Sequence, residues 1–497
     1  MMQFEAGFRN SGYTSPKPLL SQCVSAFAFF LLFLLAVSPA PAQGGPDYKT
    51  YGQPVTAAPA DPAISQALGQ ISPRQIRRTI EKLVSFNNRN TLSSTDTSLP
   101  SGTGVTAAAD WLQKELQLYS SDCGGCLEVK MDTFTETPQS RIPQPTTITN
   151  VYAVLRGSDP KQAKQIYLVT GHYDSRVTDV MNTKSPAPGA NDDASGTAVS
   201  LECARVLSRS KFKSTLVFAM VAGEEQGLNG SRHLAQLAKS EGWEILGVFN
   251  NDIVGGDTTP GSTTQQKSMV RVFSEGIPAT ATPEQVKAIQ SLGAENDSPS
   301  RELARATLDA GKTYFRPVKG GSTTALFTPV MQYRRDRFLR SGDHSSFNQQ
   351  GFAAVRITEW QENYNHQHQD LRTENGVEYG DLLKFVDFNY VANVVKLNAA
   401  TMATLASAPA PPEAVKIETK KLDNNTTLTW KDGPGAPAKT YQIVWRETSA
   451  PDWQRFADTH GERKATLPVS KDNVIFGIRA VDEAGHRSLV VTPVPDR

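Results

Sequence analysis

The stretch LVFAMVAGEEQG (residues 216–227) joins seven consecutive apolar residues, through Gly223, to a pair of glutamates. A continuous apolar run of this length is typical of a strand that is buried on both faces, as in a parallel sheet. Two charged groups buried directly after such a strand would be strongly destabilising without partners. Glu224 and Glu225 therefore point to a compensating cation at the end of this strand.

Strand and helix patterns alternate on either side of this stretch. Short apolar runs predict strands at residues 166–169, 245–253 and 353–357. Apolar residues at helical spacing predict helices from Ser72 and over residues 107–118, 195–207, 231–238, 300–310 and 381–405. This alternation predicts an α/β fold with a mixed, mostly parallel sheet that is flanked by helices.

Four further short segments carry acids and histidines, mostly at the ends of predicted strands. They are GHYDS (171–175), GANDDASG (189–196), NND (250–252) and YNHQHQD (364–370). Each segment alone is more often a turn, a helix cap or a hydrogen-bonded pair than a metal site. Open α/β sheets, however, bind ligands at the carboxyl ends of their strands. We therefore expect all five segments to meet at one edge of the sheet.

The residue types in these segments suit two zinc ions. Two zinc ions about 4 Å apart can share one carboxylate, and they then call for two histidines and three carboxylates. The segments supply that set, and Asp174 and Glu224 remain as two additional acids that are not needed as ligands. Asp174 can hydrogen-bond the His172 ring and fix its tautomer. Glu224 can hold the proton of a water that both metals activate.

The GANDDASG and GEEQG motifs resemble those of the clan MH zinc exopeptidases. This group includes bacterial leucyl aminopeptidase, aminopeptidase Y, glutamate carboxypeptidase and glutaminyl cyclase, and the resemblance covers roughly residues 70–405. It implies Glu224 as the general acid/base and a cis peptide between Asp192 and Asp193. It also implies two Zn²⁺ per chain: His172 and Asp252 on one, Glu225 and His366 on the other, and Asp192 bridging them.

Five further residues lie in or near these motifs, namely His366, His368, Asp343, His344 and Asn251. His366 lies four residues before Asp370, which is the family spacing, and His368 is the alternative ligand. The segment SGDHSSF (341–347) also matches a family segment near the site. We expect its Asp343 and His344 to lie beside the ligands or the substrate, and a structural role for His344 is equally compatible. Asn251 replaces an apolar family residue, but its side chain should point to the opposite face of the sheet.

The resemblance implies an aminopeptidase that removes N-terminal residues from peptide substrates. One alternative is another activity of the same clan, either carboxypeptidase or glutaminyl cyclase. A second alternative is an inactive peptidase scaffold that binds other proteins, but the complete ligand set favours an enzyme. The formal net charge of +1 argues against a nucleic-acid partner.

The N-terminus is typical of an export signal. Arg9 and Lys17 precede an apolar run over residues 23–38, and Ala40-Pro41-Ala42 gives the small-x-small pattern of a cleavage site. We therefore expect a signal peptide over residues 1–42, a secreted or periplasmic protein, and no membrane contact after cleavage. A retained membrane anchor is the alternative.

The cysteines fit an exported protein. Cys123 and Cys126 supply only half of a tetrahedral zinc–thiolate site, so a local disulfide is the better interpretation after export. Cys203 lies at an apolar position of a predicted helix and is expected to be a buried thiol. His233, His460 and His486 have no motif around them and are expected at the surface.

The composition outside the main domain suggests the remaining boundaries. Residues 43–70 are rich in Ala, Pro and Gln and are expected to be a linker or a pro-segment. The zinc exopeptidase domain then covers residues 71–405, and a Pro/Ala linker covers 406–412. Residues 413–497 are predicted to form an all-β sandwich that resembles a fibronectin type III module, and this module would contact another protein or a surface.

Overall fold

A computed structural model describes residues 47–315 and 327–496 of the chain. The described residues begin with one short strand and two helices. They are β1 (Gln53–Pro54), α1 (Pro62–Leu68) and α2 (Pro73–Val84). Each helix has a proline in its first turn, and the side chains of Asp61 and Ser72 cap the two helices. The described part of residues 43–70 therefore contains regular structure, and its assignment as a linker or a pro-segment stays a prediction.

An eight-stranded mixed sheet forms the centre of the larger domain. Its strands are β2 (Leu127–Glu136), β3 (Thr146–Leu155), β4 (Gln165–His172), β5 (Thr215–Val221), β6 (Glu244–Asn251), β7 (Met269–Ser274), β8 (Thr328–Gln332) and β9 (Ala354–Glu359). Their order is β2-β3-β5-β4-β6-β9-β7-β8. The four central strands β5, β4, β6 and β9 are parallel, whereas β3 and β7 pair antiparallel to this block. The carboxyl ends of the four central strands therefore meet at one edge.

Helices cover both faces of this sheet, as the sequence pattern predicts. The helices are α3 (Gly104–Asp122), α4 (Ala194–Leu207), α5 (Asn229–Ser240), α6 (Pro283–Leu292), α7 (Pro299–Tyr314), α8 (His344–Gln349) and α9 (Phe388–Ser407). Side chains of α2, α3, α4, α7 and α9 share one hydrophobic core with the sheet. Side chains of α5 and α8 contribute to the core on the other face, for example Leu234 and Phe347. The α/β prediction is confirmed.

The C-terminal residues form a β-sandwich. A small hairpin, β10 (Arg372–Glu374) and β11 (Val377–Tyr379), comes before it in the chain. The strands that follow are β12 (Glu413–Glu418), β13 (Thr426–Lys431), β14 (Thr440–Glu447), β15 (Arg455–Asp458), β16 (Lys464–Leu467), β17 (Val474–Val481) and β18 (Val494–Asp496). Together with β1, these seven strands make two four-stranded sheets, β1-β15-β14-β17 and β16-β13-β12-β18. The sheets enclose a core that includes Trp430 and Trp445. The fibronectin-like identity of this sandwich and a role in contacting other proteins stay predictions.

The first described residues complete one sheet of this C-terminal sandwich. In β1, Gln53 pairs with Phe456 of β15. The Trp445 indole donates a hydrogen bond to the Tyr48 carbonyl at 3.0 Å, and the Arg455 guanidinium donates to the carbonyls of residues 50–52. Residues 53–54 and 455–458, which are far apart in the chain, are therefore parts of one sheet.

The predicted linker over residues 406–412 is packed against the larger domain. The helix α9 continues to Ser407, and Ala408 and Ala410 are buried. The Gln162 side chain donates to the Ala408 carbonyl at 2.7 Å. The sandwich and the larger domain belong to one compact unit, and the buried ion pair between Arg446 and Asp297 joins them.

His486 is a second link between the sandwich and the larger domain, although the sequence predicts a surface residue. Its side chain is only 10% exposed, and its Nδ1 and Nε2 atoms lie 3.0 Å from Asp482 and from Asp61, the residue that caps α1. Burial lowers the pKa of His486, but the two carboxylates outweigh burial and raise the pKa above its ordinary value of 6.5. The charged ring therefore ties two distant parts of the chain together.

We expect the stability that His486 contributes to depend on pH. Because its pKa is raised in the folded state, the contribution is fully present below pH 6.5 and is lost as the pH rises through the folded pKa. At pH 6 the His486→Gln variant should therefore melt about 2 °C below the unchanged protein. The difference should narrow at pH 9 in thermal melts followed by circular dichroism. A difference that stays constant or widens with pH would contradict the ion pairs.

The cysteines behave as the sequence suggests. Cys123 and Cys126 form a disulfide at the end of α3, with their Cα atoms 5.6 Å apart. Cys203 is a buried free thiol in α4. Among the described residues, none of the helices has the length and apolar character needed to cross a bilayer. The predicted signal peptide lies outside the described residues.

Candidate metal centre

The acidic and histidine segments converge at the carboxyl ends of the central strands. His172 is the last residue of β4, and Asp252 directly follows β6. Glu224 and Glu225 follow β5 after two intervening residues, and Asp192 lies just before α4. The meeting of these segments at one edge is therefore confirmed.

The first group of potential ligands contains His172, Asp192 and Asp252, all buried. His172 Nε2 lies 3.2 Å from Asp192 Oδ1 and 3.9 Å from Asp252 Oδ1. On the other side of the ring, His172 Nδ1 lies 3.3 Å from Asp174 Oδ1. Asp174 thus contacts the ring nitrogen that faces away from the group, as expected for a residue that orients the imidazole.

The second group contains Asp192, Glu225 and His368. His368 Nε2 lies 2.9 Å from Asp192 Oδ2 and 3.0 Å from Glu225 Oε1. Asp192 therefore offers one carboxylate oxygen to each group, which is the arrangement of a bridging ligand.

His366 does not join either group, contrary to the prediction that it is the last ligand. Its ring stacks on Phe385 with a centroid distance of 3.7 Å, and its Nδ1 lies 2.9 Å from Asp257 Oδ1. The backbone makes a turn here, in which the amide of His366 donates to the Asn363 carbonyl. His368 follows with a left-handed φ of +55°. This turn points the two imidazoles in different directions, and His368 takes the place expected for His366.

The loop that carries Asp192 is held rigidly. Asp381 accepts hydrogen bonds from the backbone amides of Asn191 and Asp192 at 2.8 and 2.7 Å. The peptide between Asp192 and Asp193 is cis, as the family resemblance implies. A side chain at Gly196 would come within 2.1 Å of the Asn251 carbonyl oxygen, so glycine permits the close approach of α4 to β6.

Asp193 and Asn251 support the ligands without joining them. The Asp193 carboxylate accepts from the His172 amide at 3.0 Å and caps α4 through the Gly196 amide at 2.9 Å. The Asn251 side chain points away from the ligands and pairs with Asn398 of α9. The substitution of an apolar family residue by Asn251 therefore leaves the site intact, as expected.

The residues present fit zinc by donor type and by spacing. Zinc prefers imidazole nitrogen and carboxylate oxygen at about 2.0–2.2 Å, and tetrahedral ligands at that distance lie about 3.3 Å from one another. The separations between 2.9 and 3.9 Å in the two groups are close to this value. Burial lowers the pKa of His368, but Glu225 and Asp192 raise it to about 10. A site that stabilises an imidazolium so strongly also favours a divalent cation.

Comparison with known proteins agrees with this site. The family model for peptidase family M28 matches residues 150–386. A probable zinc metalloprotease of Pyrenophora teres f. teres is 45% identical over 440 residues, which cover 88% of this chain and 88% of that protein. The chain belongs to peptidase family M28. This M28 chain is therefore a zinc metallopeptidase.

The chain is also similar to a second curated relative and to a solved structure. A probable zinc metalloprotease of Leptosphaeria maculans is 44% identical over 433 residues, which cover 87% of this chain and 97% of that protein. Among solved structures, the LapA aminopeptidase of Legionella pneumophila is 21% identical with a TM-score of 0.48, over 71% of this chain and 77% of that one.

Two carboxylic acids of the M28 peptidase lie near the ligand groups without belonging to them. Burial raises the pKa of Glu224 well above its usual range, and Asp252, Glu225 and Asp343 add to the rise. Burial raises the pKa of Asp343 to about 7. Two buried carboxyl groups that are not ligands therefore lie beside the ligand groups, which suits general acid/base chemistry.

His344 has a structural role. It is fully buried, and its Nε2 donates to the Arg335 carbonyl at 2.9 Å. Burial lowers the pKa of His344 to about 4, so the ring is neutral near pH 7. The sequence leaves two roles open for His344. Its burial and its hydrogen bond to the loop that contains Arg335 favour the structural role.

Three residues that support the centre lie outside the sequence motifs. Arg356 in β9 is fully buried and forms an ion pair with Asp252. Its signal is visible in the sequence, because a lone arginine interrupts the apolar run of residues 352–357 and needs a buried partner. Asp381 and Asp257, which hold the Asp192 loop and His366, lie in loops without any distinguishing pattern.

Proposed function

We propose that this M28 peptidase is an exported di-zinc aminopeptidase that hydrolyses the N-terminal residue of peptides. The observation that carries the proposal is the bridging position of Asp192, whose two oxygens face different ligand groups. One zinc would be held by His172, Asp252 and Asp192. The second would be held by Asp192, Glu225 and His368.

In this proposal Glu224 moves the proton. Bound zinc supplies a Lewis acid that polarises the scissile carbonyl and acidifies water. Glu224 accepts the proton of the attacking water and returns it to the leaving amine. Asp174 keeps the His172 ring oriented through its contact at 3.3 Å, and Arg356 holds the outer oxygen of Asp252.

The charge around the centre supports an N-terminal substrate group. Besides the three carboxylates of the ligand groups, the acids Asp174, Glu224 and Asp343 lie in the same part of the site. Asp174, Glu224 and Asp343 are not zinc ligands, so an ionised carboxylate among them can pair with the cationic α-amino group of a substrate.

A peptide panel tests the proposal. Peptides with free and with acetylated N-termini would be incubated with the zinc-loaded enzyme, and the released residue would be identified by mass spectrometry. We expect stepwise release from the free N-terminus and none from acetylated peptides. A chelator should abolish activity, and added Zn²⁺ should restore it.

Other outcomes would change the assignment. Release from the C-terminus of acetylated peptides would identify a carboxypeptidase. Loss of ammonia from peptides with an N-terminal glutamine would identify a glutaminyl cyclase. If no substrate is turned over at two bound zinc ions, the aminopeptidase proposal fails.

Export is tested separately. We propose that residues 1–42 are removed as a signal peptide, because the apolar run and the Ala-Pro-Ala pattern suit cleavage there. Sequencing the N-terminus of protein recovered from the medium or periplasm should give a start close to Gln43. A chain that keeps residues 1–42 and sediments with membranes would show a retained anchor instead.

A further inference from the structure

Three arginines converge on one carboxylate at the rim of the site. Arg271, Arg337 and Arg340 lie 3.2, 2.9 and 2.8 Å from the Glu362 carboxylate. Glu362 is almost completely buried, with 3% of its side chain exposed. Three guanidinium groups thus share the single negative charge of Glu362.

The neighbouring acid does not remove this excess of positive charge. Asp336 pairs with Arg337 at 3.1 Å and lies 3.8 Å from Arg356. Apart from the metal ligand Asp252, four guanidiniums therefore share two carboxylates. Arg340 is the most accessible of the four, with 33% of its side chain exposed, against 19% for Arg271 and 8% for Arg337.

Arg340 belongs to a loop that is fixed against the metal centre. Two residues later, a Cβ on Gly342 would lie 3.3 Å from Asp252 Oδ2. Earlier in the loop, His344 holds the Arg335 carbonyl. Burial lowers the pKa of Arg340, but Glu362 and the ligand Asp192 together raise it. The Tyr364 ring beside Arg340 belongs to the same segment as the ligand His368, so the guanidinium lies close to the metal centre.

We propose that Arg340 binds a carboxylate of the peptide substrate. This inference rests on the proposed peptidase function and names the substrate class, which is short peptides with a carboxylate close to the scissile bond. Among the described residues, one nitrogen of Arg340 donates to Glu362, and the other N–H donors of its fork are available for a charge-assisted pair. In this arrangement the amine end of the substrate lies at the ligand groups, and Arg340 binds its carboxylate.

Apolar side chains stand next to Arg340. Phe338, Leu339 and Tyr364 are 73%, 91% and 64% exposed, and the Arg340 guanidinium lies 6.0 Å from the centre of the Tyr364 ring. These side chains can contact apolar residues beside the bound carboxylate.

Two substrate pairs distinguish the possible sources of the carboxylate. Leu-Leu and Leu-Leu-amide differ in the C-terminal carboxylate alone, whereas Leu-Glu-amide and Leu-Gln-amide differ in an acidic side chain. For at least one pair we expect the enzyme to prefer the carboxylate member in kcat/KM by roughly tenfold or more, as for other charge-assisted hydrogen bonds. Arg340→Met should reduce that preference to near unity, mainly through KM. Arg340→Lys should restore part of it.

Arg337→Met is the matched control, because Arg337 contacts the same Glu362 oxygen from the same loop but is buried. It should keep the preference of the unchanged enzyme, with folding of all variants checked by thermal melts. The inference is overturned if neither pair shows a preference, if Arg340→Met keeps it, if Arg340→Lys loses as much as Arg340→Met, or if Arg337→Met removes it equally. Cleavage of the amides in each of these cases would leave the peptidase function intact, whereas no cleavage of any peptide would refute the peptidase function itself.

Discussion

Glu224→Gln is expected to lower kcat by two to four orders of magnitude while the protein keeps both zinc ions. Glutamine has nearly the same shape as glutamate but cannot accept the proton of the attacking water, and a positioned general base contributes about 10²–10⁴-fold. Glu224 lies outside both ligand groups, so metal content should not change. Steady-state kinetics and zinc analysis by mass spectrometry measure the two effects.

Glu225→Gln is the matched control for this prediction. It makes the same change one residue later, but Glu225 lies 3.0 Å from His368 in the second ligand group. We therefore expect it to lose zinc together with activity. Unchanged turnover in Glu224→Gln, or equal zinc loss in both variants, would exclude Glu224 as the proton carrier.

His368→Ala is expected to remove about one zinc per chain and to lower activity by more than about 100-fold. Its imidazole is the only nitrogen donor in the second ligand group of the described residues. Without it, Asp192 and Glu225 would remain as two buried carboxylates with one donor fewer for the cation. A zinc titration in the presence of a competing chelator, monitored by calorimetry, measures the zinc affinity of the variant directly.

His366→Ala is the comparison that separates the two histidines. His366 contacts Asp257 and Phe385 instead of the ligand groups, so this variant should keep two zinc ions and lose at most about tenfold in activity. The opposite result, zinc loss in His366→Ala and none in His368→Ala, would restore the ligand that the family spacing implies.

The buried centre of the fold is predictable from the sequence. The strands β4, β5, β6 and β9 are apolar runs, and α4, α7 and α9 have clear helical spacing. The strands β2 and β8 escape prediction because they are the two edge strands of the sheet, where partly exposed residues weaken the apolar pattern. A short strand such as β1 has no local signal at all, since its pairing partner is distant in the chain.

The candidate site is predictable to the level of the motif. Strand ends locate His172, Glu225 and Asp252, because the carboxyl ends of parallel strands share one edge. The choice between His366 and His368 depends on a turn in a loop after the last parallel strand, and no periodicity reports on such a turn. Spacing from Asp370 favours the wrong histidine, since the ring direction is set by the contacts with Phe385 and Asp257.

The pairing of β1 with β15 has a consequence for the order of folding. Gln53 and Phe456 are about 400 residues apart, so at roughly 5–20 residues per second the ribosome makes the partner strand about 20–80 s after β1. Throughout this time the first strand has no sheet to join, whereas the eight-stranded sheet between them can assemble. We therefore expect nascent chains that stop before residue 455 to hold a folded catalytic domain with a protease-sensitive N-terminal segment. Only release of the complete chain would protect that segment from cleavage.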